Sequence, residues 1–399
     1  MKTYLTVMAH SLYSIIPYKN DLLKFSKAIN ARAYYKDHYI DLMTGTTHNF
    51  EIQKWVQSLD FPVHKHDIKK RFIHLFYELG FLFEGSLSDI QASDLLALDI
   101  EYGEVKKHWL KKDTQLSKIS LSLQSAPDFS DYQKQFEEGY SELKAGNCYQ
   151  FNLTGQYVYS IHKKVAPMDF VETLWRKKQD RGAYASATYI EFFDKMFLSN
   201  SPECLFQYDK EDLVTRPVKG TLRRESDNKE EVKKLWQTLV DDEKNQAELY
   251  MITDLLRNDV CRIDLPQAEV IKKKAMLLVP GLIHQYAEIK VNLRNHVTLK
   301  NILEKIFPGG SITGAPKKRV MEILKKLEGR SRGFYCGSTL IFSPGRVDAS
   351  INIRSSVIDF RNNTLSYQSG SGITLLSDVN HEFEEMNDKR DSYMNTLTL

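Results

Sequence analysis

Cysteine is scarce and scattered. The four residues, Cys148, Cys204, Cys261 and Cys336, form no C-x-x-C pair, which argues against a zinc ribbon or dithiol redox centre and fits a reducing compartment. No apolar run approaches the roughly 20 residues that cross a bilayer. The stretch Met1 to Leu12 mixes Lys2, His10 and hydroxyls with short apolar pieces, so it does not read as a secretory leader. An excess of one charge is missing too. Lys and Arg outnumber Asp and Glu by 55 to 52, a net +3, and electrostatics gives no reason to expect nucleic acid or membrane as partner. Lysine runs such as Lys111-Lys112 and Lys272 to Lys274 read as solvated faces. There is no repeat, no low-complexity tract and no linker rich in Pro, Gly or Ser. What remains is the expectation of a cytoplasmic globular protein, whose 399 residues can enclose a sizeable core.

Residues 1 to about 120 mix short strand-like runs with a helical stretch near Ile68 to Leu79, and Leu95 to Tyr102 reads as a strand. The polar segment Lys111 to Ser130 is the expected internal boundary, dividing an N-terminal part (1–120) from a larger unit (121–399). A helix is expected from Tyr132 to Lys144, ended by Gly146-Asn147. In Cys148 to Thr154, Tyr149, Phe151 and Leu153 alternate with Gln150, Asn152 and Thr154, the two-residue period of a strand. Further strands are expected over Tyr184 to Phe197 and Cys204 to Val218, and helix from Asn228 to Arg257 with a break near Asp241-Asp242. Turns at Ser343 to Arg346 and Arg361 to Asn363 predict a three-stranded meander. A last helix starts near Asn380. Runs of strands with helical pairs between them, and no regular βαβ unit, predict an α+β fold with antiparallel sheets.

The most organised stretch is Phe307 to Arg319. Gly309, Gly310 and Gly314 with Ser311 and Thr313 lead to Pro316, and Val320, Ile323, Leu324 and Leu327 then fall on one helix face. Pro316 suits the first helical turn and Gly329 the end. Glycines and a helix start together make either an ordinary capped loop or an anion site; spacing alone does not choose. A nucleotide P-loop is excluded, because Ala315 stands where that motif needs lysine.

Several stretches, read in order, resemble the chorismate-utilising enzymes, and among them the aminodeoxychorismate synthases. They are Gly146 to Leu153, Ser201-Pro-Glu203, Arg216 to Thr221, Ala247 to Asp259, the Phe307 loop, Arg332 to Tyr335, Ser350 to Arg354, Gly370 to Gly372 and Glu382 to Glu385. The resemblance covers residues 120 to 395. It implies two large, mostly antiparallel β-sheets packed together with helices outside. It further implies a site between the glycine-rich loops and helices that carry glutamates.

Glu382 and Glu385 share a helix face. By themselves they are a solvated acidic face paired with Lys389, or two of the hard oxygen ligands that magnesium takes beside water and substrate. The resemblance implies the latter, with Glu248 as third metal ligand and as general acid toward the departing 4-hydroxyl of chorismate. Arg354, following Ile351 and Ile353, is an exposed strand arginine or a fork for a carboxylate; the resemblance implies the fork, with Tyr335 and the backbone at Gly370 and Gly372 completing the pocket. Gly220, Thr221 and Ser311 match further substrate contacts, and His284 matches a histidine near the reacting ring.

Lys219 is a surface lysine or a nucleophile, and spacing cannot decide. By resemblance, anthranilate synthases carry alanine there and aminodeoxychorismate synthases lysine. A neutral lysine amine can add covalently, provided its surroundings favour the uncharged form. The implied course is attack by Lys219 at C2 with loss of the 4-hydroxyl, then addition of ammonia at C4 with expulsion of the lysine. The product, 4-amino-4-deoxychorismate, leads to 4-aminobenzoate and folate. Gln150 stands where isochorismate and salicylate synthases carry a lysine that activates water, and an amide cannot act as that base. No G-x-C-x-G turn is present, so ammonia is expected from a separate glutamine amidotransferase subunit, and no fused lyase or tryptophan feedback is expected. The alternatives are an anthranilate synthase component or a non-catalytic subunit that only binds the amidotransferase.

Overall fold

The computed structural model describes residues 11–61, 70–111, 118–224, 226, 228–264, 268–279, 282–293 and 297–398. The fold is α+β, and every strand pairing is antiparallel. Neighbour follows neighbour in one ladder. It runs from Leu121–Ser125 through Gln150–Ile161, Thr364–Ile373, Ser355–Asp359, Lys195–Ser199, Ser186–Ile190 and Leu12–Tyr18. It continues through Asp21–Tyr34, Ala97–His108, Lys70–Leu75, Ser338–Ser343, Arg346–Ser350 and Cys204–Asp209. Asp212–Arg216 and Val218–Arg223 come next, then Leu282–Asn292 and Glu269–Val279.

This ladder folds over into two packed sheets. Four strand spacings separate Ser186–Ile190 from Lys70–Leu75, which in a flat sheet would be about 19 Å. Yet His74 Nε2 lies 2.8 Å from the Thr188 hydroxyl, and Phe72, Phe76, Leu98, Ile190, Phe197 and Phe334 share one buried cluster between the sheets. His74 is fully buried and its Nδ1 bonds the Thr339 hydroxyl at 2.9 Å. Burial pushes its imidazole down to about 3. His74→Ala removes the ring and both hydrogen bonds, and is expected to cost roughly 2–4 kcal/mol, read as a lower thermal midpoint. The linkage has a sign. The unfolded histidine takes a proton below about 6.5 and the folded one does not, so the wild type loses stability as pH falls from 6.5 toward 3. The variant loses that contribution to the slope.

Helices cover the outer faces. Asp128 caps Phe129–Lys144 by accepting from the N–H groups of Ser130 and Asp131, and Tyr132, Phe136 and Leu143 turn inward from it. Gly139 of this helix lets Phe151 come so close that a Cβ would sit 2.4 Å from its ring. Lys317–Glu328 starts after Pro316 and ends at Gly329 in the left-handed region, as its sequence predicts. Val379–Leu397 lies along Thr364–Ile373, capped by Asp378. On the other sheet, Lys229–Asp241 and Glu243–Asp264 break at Asp242 and pack on Leu282–Asn292.

Two expectations fail. Lys70–Leu75 is a strand, where a helix was expected across Ile68 to Leu79; the helix is only Leu79–Phe83, and residues 62–69 lie outside the described ones. Phe72, Ile73, His74 and Leu75 are all buried, so both faces of the strand are covered and the two-residue period vanishes. The meander is instead two hairpins in different sheets: Arg346–Ser350 pairs with Ser338–Ser343, and Ser355–Asp359 with Thr364–Ile373. Between them the chain crosses from one sheet to the other at 351–354, with Arg354 at φ +50°. Part of the expected boundary, 112–117, lies outside the described residues, and the strands before residue 112 enter the same ladder as those after it.

Candidate active site

The crossing at Arg354 opens a cleft of about 500 Å³, walled on one side by Val379–Leu397 and on the other by Glu243–Asp264. The twelve residues that the resemblance assigns to catalysis, substrate or metal line it: Lys219, Gly220, Thr221, Glu248, His284, Ser311, Tyr335, Arg354, Gly370, Gly372, Glu382 and Glu385.

A bulge brings the first three together. Val218–Arg223 pairs Lys219 with Gln285 but Thr221 with His284, so Gly220 is an extra residue, at φ +78°. Regular strand neighbours point to opposite faces; the bulge breaks that alternation, and three successive residues reach the cleft. The Lys219 side chain is 12% exposed, with Nζ 3.9 Å from Glu248 Oε2. Two glycines make room opposite. A Cβ on Gly372 would lie 2.8 Å from Gln150 Nε2 and 3.1 Å from Lys219 Nζ, and one on Gly370 would lie 2.5 Å from the Leu153 carbonyl. Gln150 is 2% exposed and its Nε2 has no protein partner.

Thr221 and His284 Nδ1 share a 2.8 Å hydrogen bond. Burial, then Arg354, pushes His284 down to about 3, so the ring is neutral and its Nε2 is unpartnered. Such a ring can offer or accept a hydrogen bond but is a poor proton reservoir. Arg354 anchors one Nη by donating to the Lys389 carbonyl at 2.7 Å.

The acidic side has two parts. Glu385 pairs with Lys389 at 2.6 Å, and this ammonium holds its carboxyl down to about 2. The i, i+4 pair that marks a solvated face is therefore real, but both members line the cleft. Glu382, one turn before, is 2% exposed. Among the described residues, no three His, Cys, Asp or Glu side chains are gathered closely enough to hold a metal ion.

Sequence reasoning missed Glu203 as a site residue, although it ends the quoted Ser201-Pro-Glu203. It is 4% exposed and lines the cleft. Ser311 donates to its Oε1 at 2.6 Å. Burial pushes its carboxyl up to about 7, against the opposing pull of that bond and of Lys219 and Lys389. Lys389 was seen only as a partner for Glu385, and it also donates to the Gly370 carbonyl at 2.8 Å. Burial is not visible in a linear sequence, and burial is what marks Glu203.

Residues 47–395 match the family described as chorismate binding enzyme. Aminodeoxychorismate synthase component 1 of Salmonella typhimurium is 32% identical over 302 residues, covering 74% of this chain and 64% of that protein. Anthranilate synthase component 1 of Archaeoglobus fulgidus is 30% identical over 261 residues, covering 65% and 60%. The matched stretch thus spans a little under two thirds of either relative. The crystal structure of anthranilate synthase component I from Streptococcus pneumoniae superposes with a TM-score of 0.75 over 98% of this chain and 94% of that one. At 20% identity this is a likeness of fold.

Proposed function

Since the chain belongs to the chorismate-binding enzymes, we propose that it converts chorismate and ammonia to 4-amino-4-deoxychorismate, as aminodeoxychorismate synthases do. Similarity alone does not choose between this reaction and anthranilate formation, because relatives of both kinds match to a similar degree. The observation that carries the choice is Lys219, nearly buried in the cleft beside Glu248 and Gly372.

The chemistry balances in two displacements. The neutral Lys219 amine bonds to C2, both ring double bonds shift, and the C4–O bond breaks, while the proton shed by the new C2–N nitrogen restores the one that Glu203 spends on the leaving group. Glu203 gives the departing hydroxyl its proton, so that water leaves. We assign this proton to Glu203 and not to Glu248, since a buried carboxyl pushed up to about 7 keeps about half its protons at neutral pH and so can donate one, whereas Glu248 stands beside the Lys219 amine that must attack. Ammonia then bonds to C4, both double bonds shift back, and the C2–N bond breaks, with the proton shed by the incoming ammonia passing to Lys219 so that it leaves as a neutral amine. One hard displacement is thereby split into two easier ones. Arg354 offers a guanidinium to the enolpyruvyl carboxylate. His284, held neutral, orients a ring oxygen. Gln150 supplies no base for water.

Magnesium fits the donors. Glu248, Glu382 and Glu385 are hard carboxylates facing one cleft, the donor type that magnesium takes beside water and substrate oxygens. When bound, it would neutralise the ring carboxylate. Ammonia comes from a separate glutamine amidotransferase subunit, and the product feeds 4-aminobenzoate and folate synthesis. No described helix is long and apolar enough to cross a membrane.

The test is incubation with chorismate, magnesium and ammonium, with aminodeoxychorismate lyase added and products separated by chromatography. 4-Aminobenzoate is the expected product. Anthranilate with pyruvate would transfer the protein to tryptophan synthesis, and no turnover with no chorismate binding would leave the non-catalytic subunit.

A further inference from the structure

We infer that Glu78 is a positioning residue for this reaction: its carboxylate holds the main chain at Arg332 and Gly333 and thereby locks the loops that present Tyr335 and Ser311. The inference rests on reading the cleft as a chorismate site. Glu78 lies outside the cleft, in the N-terminal part, just before the helix Leu79–Phe83. It is 4% exposed. One carboxyl oxygen accepts the Arg332 N–H at 2.7 Å, and the Gly333 N–H is shared between that oxygen at 3.3 Å and the other at 3.1 Å. Gly333 has φ +64°, and two successive N–H groups converging on an anion make a nest. The Tyr77 N–H donates to the Gly333 carbonyl at 2.9 Å, so the same segment is held from both sides. Tyr335 follows two residues later.

Arg332 carries the hold further. Its side chain is 1% exposed and all five of its N–H groups are used. Two go to Glu328 at 2.9 and 2.7 Å, one to the Ile312 carbonyl at 2.9 Å and one to the Asn152 carbonyl at 2.6 Å. The last meets Cys336 Sγ at 3.7 Å. Ile312 adjoins Ser311, and Asn152 lines the cleft. The guanidinium also lies over the Tyr77 ring at 4.7 Å. Two residues beyond Glu78, Gly80 presses on the glycine-rich loop so closely that a Cβ would sit 2.5 Å from Pro308 Cδ. One short N-terminal segment therefore grips both substrate loops from behind. An amide in place of Glu78 keeps one oxygen for the Arg332 N–H but turns an NH₂ group toward the shorter of the two Gly333 contacts, so the hold at Gly333 is weakened.

Glu78→Gln and Glu78→Asp, each compared with wild type, test this with two readouts. Hydrogen exchange at residues 332–336 is expected to speed up at least tenfold in Glu78→Gln while residues 364–373 stay unchanged. KM for chorismate is expected to rise about 10- to 100-fold with kcat falling less, and Glu78→Asp to recover part of both. A merely structural role would lower the thermal midpoint and leave KM and the local exchange as they are, which would overturn the inference. If Glu78→Gln does not fold, Glu78→Asp supplies the same two readouts, with smaller changes. If wild type does not turn over chorismate, the reading of the function fails, and the exchange measurement still decides whether Glu78 braces the loop.

Discussion

Lys219→Ala is expected to bind chorismate and to form 4-amino-4-deoxychorismate at least about 10³-fold more slowly than wild type, since removing a nucleophile leaves only binding and electrostatics. The substitution shortens a side chain at the cleft wall and touches no core cluster, so folding should survive. Lys219→Arg is the sharper companion. Arginine keeps the positive charge beside Glu248 but cannot become a neutral amine. If the lysine acts as a charge, arginine restores much of the rate; if it acts as a nucleophile, arginine is as inactive as alanine. Mass spectrometry adds a direct reading. Wild type given chorismate and magnesium without ammonia should carry an adduct on Lys219 with the mass of chorismate less one water. Full activity in either variant, or an adduct on another residue, would remove Lys219 from the mechanism.

Glu203→Gln should lower kcat by about 10²- to 10⁴-fold with KM changed little, the usual span for loss of a general acid. Glutamine can still accept the Ser311 hydroxyl, so the loop bond seen at 2.6 Å is kept. The pH profile is the stronger test. With its carboxyl pushed up to about 7, wild-type activity should fall as pH rises through 7, because the donor loses its proton. The residual activity of the variant should lack that limb. Stability moves in the same direction. The unfolded carboxyl ionises near 4.5 and the folded one near 7, so between those values the native state binds more protons and stability falls with rising pH. A wild-type profile flat across 7 would return the proton to Glu248 or to water.

Much of the cleft could be read in the sequence because its residues sit in short, recognisable stretches. Glu382 and Glu385 stand one turn apart, Lys219 lies within Pro217 to Thr221, and Arg354 ends Ser350 to Arg354. What joins them could not be read. The Gly220 bulge turns Lys219 and Thr221 into one wall, and no period announces a bulge. The left-handed Arg354 carries the chain between sheets where alternation of Ile351 and Ile353 suggested a continuing strand. Glu203 shows its role only through burial. Glu78 lay outside the recognisable stretches, and its partners are main-chain amides 254 and 255 residues away, which carry no side-chain signature. In the same way, Lys70–Leu75 lost its period because it is covered on both faces.

The order of the ladder also sets a timetable for the nascent chain. His74 and its partner Thr339 are 265 residues apart. At about 5–20 residues per second, the ribosome delivers that partner roughly 13–50 s after the histidine. Until then Lys70–Leu75 has a bare edge and an apolar surface with nothing to cover it, a standing invitation to aggregate. Folding must therefore wait for almost the whole chain, and loops of this length make it slow. Expression at lower temperature or with added chaperones should accordingly raise the soluble yield more than any change to the finished surface.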